Sequence, residues 1–296
     1  MTAGGPRVLA IDWSGARTGS ARKIWIAEAA GHRLLRLENG RGREQVAEHL
    51  LAEATRDAHM VVGLDFAFSL PAWFVERLGR GGAPGLWTRA GDEGDDWLAR
   101  CRPPFWGRRG TCVPRDVVLL RRTEEALRSG AVAPKSPFQI AGAGSVGTGS
   151  IRGMPMLARL RARGFSIWPF DPPGWPRVVE IYPRLFTPGV RKSRPTERAA
   201  FLRRFRGAIG GRLRRVANGC DDAFDAAVAA LAMAAHVAEL ASLGPARDAQ
   251  ELLEGRIWTP RGCRHPPNTL PGARPSVRTR RCWMSHRSPC RTRRSR

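Results

Sequence analysis

Acidic residues stand at four separated places in the chain where an acid is out of keeping with its neighbours. Asp12 closes VLAID, Asp65 closes VVGLD, Glu180 interrupts VVEIY, and Asp221, Asp222 and Asp225 open an Ala-rich helical stretch. The first three lie at the ends of, or inside, short apolar runs that read as buried strands. A buried carboxylate without a partner is costly, and two carboxylates side by side cannot both stay ionised. If these acids converge, protons or cations must neutralise them. A cluster of oxygen donors alone suits Mg²⁺ or Mn²⁺. The chemistry expected is therefore metal-dependent phosphoryl transfer, with Asp12, Asp65, Asp222 and Asp225 as metal ligands. Glu180 is expected as a further ligand or an activator of water. Asp222 and Asp225 stand three residues apart and share a helix face, while Asp221 suits the helix cap.

The elements that must position these acids follow from hydrophobic period. Val8–Trp13 is a strand followed by a turn, and 23–28 and 33–37 read as a hairpin around Gly31-His32. Glu44–Arg56 has helical spacing, and Met60–Asp65 is again a buried strand. The fourth strand then lies parallel to the first through a right-handed crossover. Residues 79–116, rich in Gly, Pro and Arg, are expected to be an irregular insertion whose Arg and Trp residues hold nucleic acid by phosphate contact and base stacking. Val117–Arg128 reads as a helix. Residues 141–153 (AGAGSVGTGSIRG) read as a glycine-rich loop ahead of a helix at 156–163, able to cradle phosphate with Lys135, Arg121, Arg122 and Arg152 nearby. Phe165–Phe170 and Arg177–Tyr182 are strands, Thr196–Phe205 is a basic helix, Asp221–Leu243 one long helix, and 246–254 a short one.

Composition narrows the class. The chain has 296 residues, is 42% hydrophobic and carries a formal charge of +24. Residues 261–296 hold 11 Arg and no Asp, Glu or Lys. Residues 1–260 thus keep 39 of the 50 basic residues and all 26 acidic ones, a net of +13. Such a surface favours polyanions, and nucleic acid is the expected partner. Lys occurs only at positions 23, 135 and 192. The six Cys form no C-x-x-C pair and match no zinc spacing, which suits reduced thiols. No signal-peptide pattern precedes the first strand, and the apolar stretch 223–243 is broken by Asp225, His236 and Glu239. A cytoplasmic protein without membrane contact is expected.

The strings IDWSGA, GLDFAFSLP, PKSPFQIAGAGSVGTGSIRGMP, IWPFD, VEIYP and DDAFDAAVAALAMA resemble the predicted RNase-H-like nuclease family known as domain of unknown function 429, from Val8 to Pro260. The resemblance implies an RNase-H fold related to Holliday-junction resolvases. Those enzymes carry one acid on the first strand, one on the fourth, and a D-x-x-D pair on the last helix. Asp12, Asp65, and Asp222 with Asp225 stand at those stations. Resolvases have Glu where Asp65 stands, and RNase H enzymes add a Glu on the first helix, where Glu44 and Glu48 lie here.

The expectation is an α/β, RNase H-like domain over residues 1–260, with a mixed five-stranded sheet flanked by helices. Residues 261–296 form a basic tail. The function expected is hydrolysis of phosphodiester bonds with two Mg²⁺ or Mn²⁺ ions. The rivals are a phosphotransferase of the related actin/sugar-kinase fold, with Asp12 and its turn facing ATP, and a non-catalytic nucleic-acid-binding protein.

Overall fold

Six segments pair into one mixed sheet in the computed structural model, which describes residues 5–79, 81–128 and 132–261. The strands are β1 (Arg7–Asp12), β2 (Trp25–Ala30), β3 (Arg33–Glu38), β4 (Met60–Leu64), β5 (Ser166–Ile167) and β6 (Arg177–Glu180), in the order β3-β2-β1-β4-β6-β5. β1, β2 and β3 are antiparallel neighbours, whereas β1, β4, β6 and β5 run parallel. The sheet thus has six strands where five were expected. The edge strand expected over Phe165–Phe170 is cut to the two residues of β5, ahead of Pro169, which has no N–H to offer the ladder.

The helices among the described residues are α1 (Ser20–Lys23), α2 (Arg43–Arg56), α3 (Ala72–Arg77), α4 (Gly82–Arg100), α5 (Arg122–Arg128), α6 (Gly147–Arg161), α7 (Pro195–Leu202), α8 (Gly211–Gly219), α9 (Asp221–Ala235), α10 (Val237–Ala241) and α11 (Ala249–Glu254). They cover both faces, which is why the central strands β1 and β4 are apolar along almost their whole length. Strand alternation divides the interior into two cores. Leu9, Ile11, Val62, Leu64 and Val178 meet α2, α4 and α6. Val8, Ala10, Val61, Val179 and Ile181 meet α8 and α9. Each such Leu, Ile or Val contributes roughly 1.5–3 kcal/mol by leaving water.

Four expectations about elements are corrected. The segment 79–116 is not wholly irregular, since α4 takes up half of it and packs along α6. Its glycines serve helix contact: a Cβ on Gly94 would stand 2.7 Å from Ile151 Cγ2. Its tryptophans are structural. Trp87 is fully buried and donates from Nε1 to the Phe68 carbonyl at 2.7 Å, Trp97 packs with Phe74 and Phe105, and Trp106 packs on the same core. They form no exposed stacking platform. The glycine-rich stretch is half helical, because α6 already starts at Gly147. The helix expected from Val117 starts only at Arg122, where the inward-turned Arg121 precedes it.

The helix expected over 221–243 ends at Ala235. His236 leaves helical geometry, lies against the Trp258 ring, and separates α9 from α10. Of the whole, α2, α7 and α9 start within a residue of their expected first positions. No described helix is long and apolar enough to cross a membrane. The basic tail beyond Arg261 lies outside the described residues.

Candidate active site

Parallel pairing places two of the aspartates side by side. Ile11 of β1 is in register with Leu64 of β4, so Asp12 and Asp65 follow together at the carboxyl ends of adjacent strands. The Asp65 amide donates to the Ile11 carbonyl at 3.1 Å. In open α/β sheets this edge is where ligands bind. Alternation then decides the face. Asp12 continues the row Val8, Ala10, and Asp65 continues Val61, Gly63, so both turn toward the α9 side. Gly63 lets α9 come close: a Cβ there would stand 2.5 Å from Met233 Sδ. The start of α9 brings Asp225 and Asp222 to the same place.

The electrostatics record that convergence. Burial and the charges of Asp65, Asp225 and Asp222 push the Asp12 carboxyl well above the usual range, with Lys192 opposing. Asp65 is pushed up to about 8, first by burial and then by Asp225, again against Lys192. Asp225, only 4% exposed, rises to about 6 by burial, against the charge and hydrogen bond of Lys192. Asp222 is raised by burial and by Asp221. Tyr182, the only tyrosine of the chain, is raised by burial and by Asp65.

Lys192 is the site residue that sequence reasoning missed. Its ammonium donates to Asp225 Oδ2. Burial works against that charge, but Asp225, Asp65 and Asp12 outweigh it and hold the ammonium protonated. The available signal was its type, a lysine in a chain whose other cations are almost all arginine. Arg198 anchors the surroundings by donating to the Lys192 and Asn218 carbonyls and to Asp221 Oδ1, the last at 2.9 Å. Asp221 is therefore not the cap. Cys220 takes that position, its Sγ accepting from the Ala223 amide at 3.4 Å.

Glu180 is held differently from the aspartates. It is in register with Leu64, yet it shares the row of Val178 and so faces the opposite side of the sheet from Asp12 and Asp65. Both its oxygens are engaged. Arg121 donates to each, and the Phe68 amide donates to Oε2 at 2.9 Å. Arg121 also bonds Glu124 and the Glu254 carbonyl, giving a buried ionic knot that borders the same cleft as Asp65 and adds to the charge raising the Asp65 pKa. The other expected cations are likewise committed: Arg122 to Asp248 at 2.6 Å, and Arg152 to Asp95 and the Gly15 carbonyl. Glu44 and Glu48 pair with Arg159 on the helical layer and stay out of the site. Lys135 is exposed and lines the cleft.

The cleft beside Asp65, about 470 Å³, is walled by Trp13, Ser14, Lys135, Thr148, Glu180 and Tyr182, and of the four aspartates only Asp65 lines it. A larger one, about 670 Å³, lies beside Arg122, Trp168, Arg247 and Trp258, away from Asp65, and size alone does not mark the site. Among the described residues no group of three or more His, Cys, Asp or Glu side chains is arranged to hold a metal ion. The donor chemistry nevertheless fits a hard cation. All candidate donors are carboxylate oxygens, their pKa values are raised by burial and then by neighbouring carboxylates, and the buried Asp225 Oδ1 has no hydrogen-bond partner.

No family model, curated protein or solved structure matches this chain.

Proposed function

We propose that this chain is an RNase-H-like nuclease that hydrolyses phosphodiester bonds with Mg²⁺ or Mn²⁺. The observation that supports it most is the meeting of Asp12, Asp65 and Asp225 from β1, β4 and α9 on one face of the sheet edge, each with its carboxyl pKa raised. The order β3-β2-β1-β4, with β1 parallel to β4 and antiparallel to β2, agrees with the same reading. Asp12, Asp65 and Asp225 would hold the ions, with Asp222 assisting. Bound there, the ions would supply Lewis acidity to the phosphodiester and to water.

The chain's own residues set the rest. Asp12 lies between the influences of Asp65 and Asp225 and is the central donor. The N-terminus of α9 favours negative charge at Asp222. Lys135 and Lys23 border the cleft and meet the phosphate backbone of a nucleic acid. The phosphotransferase alternative calls for a second copy of the fold, and the described residues form one sheet.

The test is Asp12→Asn, assayed with Mg²⁺ and with Mn²⁺ on single-stranded, duplex and branched DNA and RNA. Cleavage by the native protein and its loss in the variant, with the circular dichroism unchanged, is the expected result. Undiminished cleavage by the variant rejects the mechanism.

A further inference from the structure

Four aspartates share this site with one bonded ammonium, that of Lys192, which takes Asp225 Oδ2 while Oδ1 meets no donor. The Lys192 backbone is pinned. Arg198 holds its carbonyl, and Arg184 holds the Val190 carbonyl at 2.6 Å. Its side chain, by contrast, is a flexible four-carbon stem that remains 27% exposed toward solvent. The residue type matters. An arginine would clamp the carboxylate with a rigid two-pronged fork, whereas an ammonium is a point charge that exchanges readily. This chain uses arginine almost everywhere else.

We infer that Lys192 is a built-in counter-ion of the aspartate cluster, which a divalent cation must displace from Asp225 in order to bind. The inference rests on the metal-dependent reading above. Without metal, the ammonium neutralises part of the cluster and keeps the edge of α9 against β1 and β4. With metal, the cation takes over the Asp225 oxygens and the ammonium swings out to the solvent-facing side. Lys192 is thus a positioning residue that sets how tightly the site takes its cation.

The sparse lysines allow a direct test in the native protein. Amine acylation read by mass spectrometry follows Lys192, with the exposed Lys135 as internal reference. Labelling of Lys192 is expected to be slow without metal and to rise about tenfold at saturating Mn²⁺, with no rise in Asp12→Asn. Unchanged Lys192 labelling while Mn²⁺ binding is seen by electron paramagnetic resonance overturns the inference and leaves the metal site standing. No Mn²⁺ binding to the native protein overturns both.

The complementary measurement is Mn²⁺ affinity of Lys192→Met, expected to be about tenfold tighter than native, since a like charge beside the ion is gone. Equal or weaker affinity overturns the inference. Lys192→Gln, which keeps a donor for Asp225, serves if the Met variant does not fold. In either variant the rise in Tm on adding Mn²⁺ is expected to exceed the native one, and a smaller rise counts against the exchange.

Discussion

Asp12 and Glu180 are both acids buried in adjacent parts of one sheet, yet their surroundings give them opposite roles. Asp12 is buried and faces other carboxylates, so its ionised form is disfavoured. Glu180 faces Arg121, so its charge is satisfied. Their neutral variants therefore separate. Glu180→Gln is expected to cost about 3–5 kcal/mol of stability, as breaking a buried ion pair does, while Mn²⁺ affinity stays within about twofold of native. Asp12→Asn is expected to do the reverse, raising metal-free stability and removing metal binding. Urea unfolding together with Mn²⁺ titration checks both. A Glu180→Gln protein that is fully stable but has lost Mn²⁺ returns Glu180 to the ligand set. The facing of Glu180 was half legible in the sequence. Alternation sets it opposite Val179 and Ile181, but only packing says which face carries α9 and which carries Arg121.

At the scale of elements, glycine misled the reading and packing explains why. Residues 82–100 contain Gly82, Gly85, Gly91 and Gly94, a composition that lowers helix propensity. Burial against α6 overrides it, since small residues at the contact allow the two helices to approach. Gly94→Val is expected to push α4 off Ile151 and to destabilise the fold by about 1–3 kcal/mol or more, as overpacking does. Thermal unfolding measures it, and a Tm equal to native means the contact between α4 and α6 is looser than described. By contrast β1, β4, α2 and the start of α9 were legible, because each has an apolar pattern of the right period. The loop that carries Lys192 has no such pattern. Its place depends on Arg198 reaching the start of α9, a contact between residues distant in the chain.

For the molecule as a whole, the aspartate cluster makes metal-free stability depend on pH. Asp65 and Asp225 bind protons more tightly folded than unfolded, at about 8 and about 6 against ordinary carboxylate values near 4. Between those values the folded protein holds more protons than the unfolded one, so stability is greatest at low pH and falls as pH rises through about 6 and then about 8. Each unshared proton is worth about 1.4 kcal/mol per pH unit. Metal-free Tm is expected to decline from about pH 5 to 8.5, with a shallower decline in Asp65→Asn and in native protein saturated with Mn²⁺. A Tm that rises over that range contradicts the repulsive cluster.

The sequence by itself determined the period of the central strands and helices and the presence of Asp12, Asp65, Asp222 and Asp225 at their ends, since local pattern and residue type do not depend on the rest of the chain. Only the tertiary structure decided which acids meet. Strand register and the side of the sheet taken by α9 join Asp12, Asp65 and Asp225, turn Glu180 to Arg121, and bring Lys192 onto Asp225. Those contacts link residues tens to hundreds of positions apart, and they arise only when both faces of the sheet are packed.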